Sequence, residues 1–409
     1  MAQHKKYQRL SDRVVYEVAH LYVEQGIGAS DIDRLLRHKF EYEWRDFRLT
    51  NESIVHIVRE AIQREWISVH APLDGNLAKA LRLKFDDVIT DDKDVQVVNV
   101  GLVDADVDAH DLRTSPFDGD RQSSIEELTN HHSGTTERPA ISLTQHVARA
   151  AAAVVLNLIK DVATAKSGKE PVRIGLGAGQ TAMWVIRTLG ELLRHEKVGS
   201  KLAIHALTSG FSLNPLDAPV TYFRFFEGVK EDIEYVGLFT TPFVSPRGFA
   251  RLKKEPDVAR AFALAKELDI VLTSLGNPTD PECMLARYLS DVGPAGELER
   301  MKDSGWKGDV QFTPYADSSL LPLRYVRPVT LLDVDDLKDM RRRVKEKKYV
   351  VLCAAPCSKC KMLKTKALLP LLTSKRLDVW THLICDLDTG RECLAAPKNP
   401  ALVGAAQPQ

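Results

Sequence analysis

From residue 141 to about 400 the sequence alternates between short apolar runs and stretches whose apolar residues recur at helical spacing. The strand-like runs are Val172–Leu176, Leu202–Leu207, Tyr235–Leu238, Ile270–Leu275, Tyr349–Ala354 and Leu383–Asp386. Runs this short and this continuously apolar suit strands covered on both faces, and their alternation with helices implies a mostly parallel sheet. A long helix is predicted over Leu143–Ala163, and a helix over Gly75–Phe85 with a strand at Val95–Val100 comes earlier. In open sheets of this kind ligands bind beyond the carboxyl ends of the strands. The residues just after each run are therefore the first place to look for chemistry.

The run Val172–Leu176 leads directly into Gly177-Ala178-Gly179-Gln180-Thr181 and then into a helical pattern. Strand, glycine turn and helix together bring backbone N–H groups and a helix N-terminus onto an anion, usually a phosphate. Two named versions do not fit. A dinucleotide fingerprint needs a third glycine where Gln180 stands, and a P-loop needs Gly-Lys-Ser/Thr. What is left is a helix-start anion site in which Gln180 and Thr181 donate, set against a tight turn that holds no ligand.

Residues 1–72 read as helical. One helix carries Val14, Val15, Val18, Leu21 and Tyr22, and a second, Asp31–His38, turns Ile32, Leu35 and Leu36 inward. A third starts near Thr50, and Trp66-Ile67-Ser68-Val69 is β-like enough to open a wing. These are helix-turn-helix proportions. The third helix would present Thr50, Asn51, Glu52, Ser53, His56 and Arg59 to the major groove. The alternative is a plain helical bundle. Residues 1–70 hold eleven basic and eleven acidic side chains, so a single copy is expected to bind DNA weakly.

Composition adds bounds rather than identity. Lys+Arg and Asp+Glu both number 56, which gives no overall charge argument for nucleic acid or membrane. No apolar run approaches the roughly 20 residues of a membrane span, and no secretory leader is expected at the N-terminus. The expectation is a cytoplasmic protein whose six cysteines are free thiols. Cys353-x3-Cys357-x2-Cys360, with Cys385 and Cys393 beyond, has metal-ligand spacing. It is read as ordinary thiols, with metal or redox sensing as the rival, and no metal ligand and no cofactor are assigned. Residues 102–140 hold nine acidic and three basic side chains and read as a polar insertion or linker.

Taken in order, several short motifs resemble the SorC family of sugar-responsive bacterial transcriptional regulators. Val14–Tyr22 looks like its first DNA-binding helix and Arg59-Glu60-Ala61 like the end of its recognition helix. Ile174–Thr181 is similar to its phosphate loop, and Thr208-Ser209-Gly210 with Asn214 to its second effector loop. Ser274-Leu275-Gly276, Met284–Arg287 and Gly305–Asp309 match three further motifs. Val350–Ala354, Lys366 and Ile384-Cys385-Asp386 match the last.

The resemblance implies an α/β protein with two parts. An N-terminal all-α winged helix-turn-helix over 1–72 would precede a Rossmann-like effector domain over 73–401, with a loose tail at 402–409. It also implies a double-stranded DNA operator, a sugar or sugar-phosphate effector, a homodimer or homotetramer, and no catalytic residue. The effector pocket would be lined by Gly177, Gly179, Gln180, Thr181, Thr208, Ser209, Gly210, Asn214, Arg287, Asp309 and Lys366, with Lys359 as the alternative to Lys366. The sequence departs from the family where Thr208-Ser209 replace an arginine, and where Pro356 and the cysteines replace a plain glycine pair. The rival readings are a phosphosugar isomerase or deaminase on the same fold, using Asp309 or Glu297, and a cysteine-based sensor.

Overall fold

The structure, a computed structural model, describes residues 10–23, 27–39, 49–50, 53–54, 56–58, 61, 72–99, 143–210 and 218–398. The expected wing, the 102–140 insertion, the tail, and Asn51, Glu52, Arg59 and Asn214 lie outside the described residues. Two compact units divide the rest: the residues up to 61, and those from 72 onward.

The first unit is helical. Helix α1 (Asp12–Val23) and helix α2 (Ala29–Lys39) close on a core of Val14, Val15, Val18, Ala19, Ile32 and Leu36. Leu35 and Tyr22, expected inside, are exposed instead. Successive residues lie about 100° apart around a helix, so Leu36 faces the core and its neighbour Leu35 does not. A third helical stretch contributes Ile54, Ile57 and Ala61 to the same core. Its start is fixed by a reciprocal cap. The Ser53 N–H donates to Thr50 Oγ1 at 3.1 Å, and the Thr50 N–H donates to Ser53 Oγ at 2.6 Å.

The second unit carries the parallel sheet that the alternation predicts. Its strands are β1 (Asp94–Val98), β2 (Val172–Leu176), β3 (Leu202–Ala206), β4 (Ile233–Val236), β5 (Ile270–Ser274), β6 (Tyr349–Ala354) and β7 (His382–Asp386). They lie in the order β1-β7-β6-β5-β2-β3-β4, every pairing parallel. Alternate residues serve two cores. Ile174, Leu272, Val351 and Ile384 meet helix α4 (Leu143–Ala165) and helix α5 (Gln180–His195) on one face. Val97, Val271, Leu352 and Leu383 meet the residues of α3 (Gly75–Lys84), Val258, Leu337 and Leu368 on the other. Both faces being covered is why the strand sequences are apolar at consecutive positions.

The strand order reverses at one point. From β2 the chain runs through α5 to β3 on one side, whereas β5, which comes later, pairs with β2 on the other. That reversal opens a crevice above the carboxyl ends of β2 and β5. Among the described residues no helix is long and apolar enough to cross a membrane.

Candidate functional site

A cavity of about 90 Å³ sits at the strand reversal, lined among others by Gly179, Gln180, Thr181, Ser274, Gly276 and Asp309. Four chain segments converge on it, and each is fixed by local chemistry. After β2, Gly179 takes φ +103°, a conformation only glycine adopts without strain, and starts α5. No side chain caps that helix. Its first-turn N–H groups are therefore available to a ligand, and the macrodipole adds positive potential there. Ser358 Oγ reaches across to donate to Gln180 Oε1 at 2.5 Å.

After β5 the chain passes Gly276, whose contact with Asp309 tolerates no side chain. A Cβ there would lie 2.0 Å from Asp309 Oδ2. Asn277 then nucleates a turn, accepting from the Thr279 N–H at 3.1 Å and donating to the Leu363 carbonyl at 3.2 Å. The turn delivers Asp280, Glu282 and Cys283 to the wall ahead of helix α6 (Met284–Asp291). The third segment is an antiparallel ribbon, Gly308–Val310 with Thr313–Tyr315. Its turn residues Gln311 and Phe312 have φ of 49° and 58°. Two non-glycine residues in the left-handed region carry strain, and contacts on either side hold them there. Gln311 Nε2 donates to Thr273 Oγ1 at 2.9 Å, and the ribbon is pinned by Tyr315 Oη donating to the Ala367 carbonyl at 2.7 Å. The last segment, after β6, brings Cys357, Ser358 and Lys364.

Electrostatically the cavity pairs opposites. Lys364 Nζ lies 3.0 Å from Asp280 Oδ2, with both side chains buried. Burial alone would raise the Asp280 pKa, but the Lys364 charge and hydrogen bonds from the Glu282 N–H, Cys360 and Lys364 hold it below the ordinary carboxylate range. Asp309 behaves oppositely: burial lifts it to about 7, against the pull of Lys364 and of a contact from Cys283 Sγ at 3.7 Å. Burial also raises the Cys283 thiol, and Cys360 is pushed up to about 11, mainly by burial. Neighbouring hydroxyl and amide groups of Thr181, Ser274, Gln180 and Gln311 complete a surface suited to polyol oxygens and one anionic group.

The structure brings together part of the set read from sequence. Gly179, Gln180, Thr181 and Asp309 line the cavity, and Gly177 precedes it in the turn. Thr208 and Ser209 do not line it. They are buried, with hydroxyls that have no partner among the described residues, and Thr208 bridges to Thr330. Gly210 packs with Ala218 and is likewise off the wall. Arg287 does not line the cavity either, but pairs at 3.5 Å with Glu282, which does.

Lys366 is exposed on helix α7 (Thr365–Thr373), and the alternative Lys359 pairs with Glu282 at 2.7 Å on the surface. The lysine in the cavity is Lys364. Its place was legible: Lys364, Ala367, Leu368 and Leu371 share one helical face, from which Lys366 points away. Asp280, Cys283 and Gln311 carried no comparable signal, because each is aimed by a turn or by strain rather than by a period. Of the DNA set, Ser53 is 1% exposed and spent on its cap, while Thr50 is exposed and His56 half-buried. The cysteine motif is divided as well. Cys353 points into the core beside α4 and α5, Cys385 and Cys393 into the other core, and only Cys357 and Cys360 stay together.

No protein-family model matches the chain, and no curated protein matches it. Solved structures do. The full-length sorbitol operon regulator SorC from Klebsiella pneumoniae superposes with a TM-score of 0.57 at 15% identity, covering 94% of this chain and 99% of its own. A "probable sor operon regulator" from Shigella flexneri gives 0.50 at 14% identity, covering 78% of this chain and 98% of its own. At such identities the likeness is one of fold, and it extends over nearly the whole chain.

Proposed function

We propose that this chain is a DNA-binding transcriptional regulator whose operator affinity is set by a sugar or sugar phosphate. In this reading residues 1–72 grip the operator, and 73–401 bind the effector. The observation that carries it is the cavity at the strand reversal, where an uncapped helix N-terminus, Lys364 and a ring of hydroxyl and amide groups face one small volume. The likeness of fold to a full-length operon regulator agrees with it. Gln180, Thr181, Asp280, Asp309, Gln311 and Lys364 hold the effector, Lys364 and the α5 N-terminus taking the anionic group. Protonated near neutral pH, Asp309 donates to a ligand oxygen; ionised, it accepts from a hydroxyl. Thr50 and His56 are the described residues left to touch DNA, in a dimer or tetramer that doubles the weak grip of a single copy.

A ligand moves such an equilibrium only through different affinities for the two conformations. The test is fluorescence anisotropy with DNA from upstream of the gene's own operon, with and without a panel of sugars and sugar phosphates. Saturable, salt-sensitive binding that one ligand shifts supports the proposal. Binding no stronger than to random DNA, in every ligand, sinks it.

One observation favours a second reading, an isomerase or deaminase: Asp309 is a buried acid with a pKa near 7 inside the cavity. The other sequence candidate, Glu297, is locked to Arg300 at 2.7 Å and lies off the cavity wall. Turnover of a sugar phosphate that disappears in Asp309→Asn would establish the enzyme.

A further inference from the structure

Cys357 and Cys360 come from one turn and Asp280 from another, and they meet at the cavity wall. Both sulfurs and a carboxylate oxygen of Asp280 lie within 4.8 Å of one another. Cys360 Sγ is 3.1 Å from Asp280 Oδ1. Each side is held before anything binds. The Lys361 N–H donates to the Cys357 carbonyl at 2.9 Å, the Cys357 N–H donates to the Met362 carbonyl at 3.0 Å, and Lys361 adopts φ 60°. That closed turn keeps the two thiols on one side of the loop. Asp280 is oriented by Lys364 on Oδ2 and by the Glu282 N–H, 2.9 Å away, on Oδ1.

We propose that Asp280, Cys357 and Cys360 form a binding site for a soft divalent cation of the zinc class, with a fourth coordination position open toward the cavity. The donor set is the first reason. Two sulfurs at Cys-x2-Cys spacing plus one carboxylate from a separate loop suit tetrahedral zinc, whereas calcium and magnesium need six or more oxygens. Charge is the second. Without a cation, Asp280 and Lys364 cancel and both thiols are protonated; with it, two thiolates, one carboxylate, the dication and the Lys364 ammonium again sum to zero, so the cation enters by displacing two thiol protons and strands no charge. The hydrogen bond from Lys364 to Asp280 is the third. Ligating carboxylates are commonly held by such an outer partner, which here engages Oδ2 and leaves Oδ1, the oxygen beside Cys360, facing the metal position. Asp280 and Cys357 line the cavity while Cys360 does not, so the cation would sit in the wall and offer its open position to water or to a ligand oxygen. The site stands on these three residues, and its test needs neither DNA nor sugar.

The experiment uses the full chain, reduced and stripped with a chelator, then titrated with Co2+ and afterwards Zn2+. The expected result is one equivalent of Co2+ per chain, with sulfur-to-cobalt charge-transfer absorption and tetrahedral visible bands that Zn2+ abolishes. Cys360 is exposed, so Cys360→Ser should keep the circular dichroism of the parent while weakening Co2+ binding at least tenfold. Asp280→Asn should weaken it without removing the sulfur band. Absence of the band in the parent protein overturns the proposal, as does a band unchanged in the Cys357→Ser/Cys360→Ser double variant. Closure of a Cys357–Cys360 disulfide by a small-molecule disulfide, with no metal taken up by the reduced form, overturns it too.

Discussion

Two lysines two residues apart separate packing from pattern. Lys364 is buried against Asp280 and Lys366 is exposed on the same helix. Removing one member of a buried pair leaves the other charge uncompensated, which costs about 3–5 kcal/mol. Lys364→Met should therefore lower the urea midpoint markedly and abolish any thermal shift from an anionic effector. Lys366→Met should stay within about 0.5 kcal/mol of the parent, as surface changes do, and keep the ligand response. Equal behaviour of the two variants would remove Lys364 from the site. Asp309 gives a pH signature of definite sign. Its folded pKa is raised to about 7 from an ordinary 3.8, so between these values the folded state binds more protons than the unfolded chain. Stability from this group is present in acid and lost as pH rises through about 7. His205, buried and depressed to about 4, acts in the opposite direction over pH 4 to 6.5, so the parent protein blends the two slopes. The difference between Asp309→Asn and the parent isolates one of them. The variant should gain relative stability steadily from pH 4 to 7 in urea titrations, and a flat difference would show that Asp309 is already ionised.

At the scale of elements, the site depends on where α5 points. Gly190 lies against the 3-10 segment Pro219–Phe226, and a Cβ there would come 2.2 Å from the Phe225 carbonyl oxygen. Gly190→Ala should thus push α5 off that segment at a cost of about 1–3 kcal/mol. Because the other end of the same helix faces the cavity, the variant should also shrink the ligand-induced thermal shift, although Gly190 touches no ligand. A lower melting temperature with the full ligand shift would mean that the helix flexes instead of tilting. The sheet, its helices and the glycine turn were legible in the sequence because each is periodic or punctuated: Val172–Leu176, Gly177 and Gly179 announce themselves. Gln311 and Asp280 did not, since a strained hairpin turn and an asparagine-initiated turn aim them, and neither leaves a period. Ser53 misled for a related reason. A hydroxyl at a helix start suits a cap as well as a phosphate or base, and only burial distinguishes the two.

At the scale of the whole molecule, the balanced charge of residues 1–70 sets a measurable limit. Eleven basic side chains against eleven acidic ones leave few phosphates to be neutralised per copy. The slope of log K against log salt, roughly −0.9 for each phosphate neutralised, should therefore be shallow for one copy and about twice as steep for a dimer on a palindrome. The proposed regulation carries a thermodynamic constraint. If an effector changes operator affinity by some factor, operator DNA must change effector affinity by the same factor. The two factors can be measured independently: the first from anisotropy titrations at fixed effector, the second from calorimetry of the effector with and without saturating operator. Factors of about 5–150 are typical of such coupling. A shared factor well above one would identify the ligand as an effector of DNA binding. A sugar phosphate that binds tightly, yet equally with and without DNA, would be an occupant of the cavity and not its signal. Lys364→Met, carried through both titrations, ties the coupling to the cavity. It should remove the effector's influence on DNA while leaving the salt slope of effector-free binding where it was, because Lys364 belongs to the second unit and the proposed DNA contacts to the first.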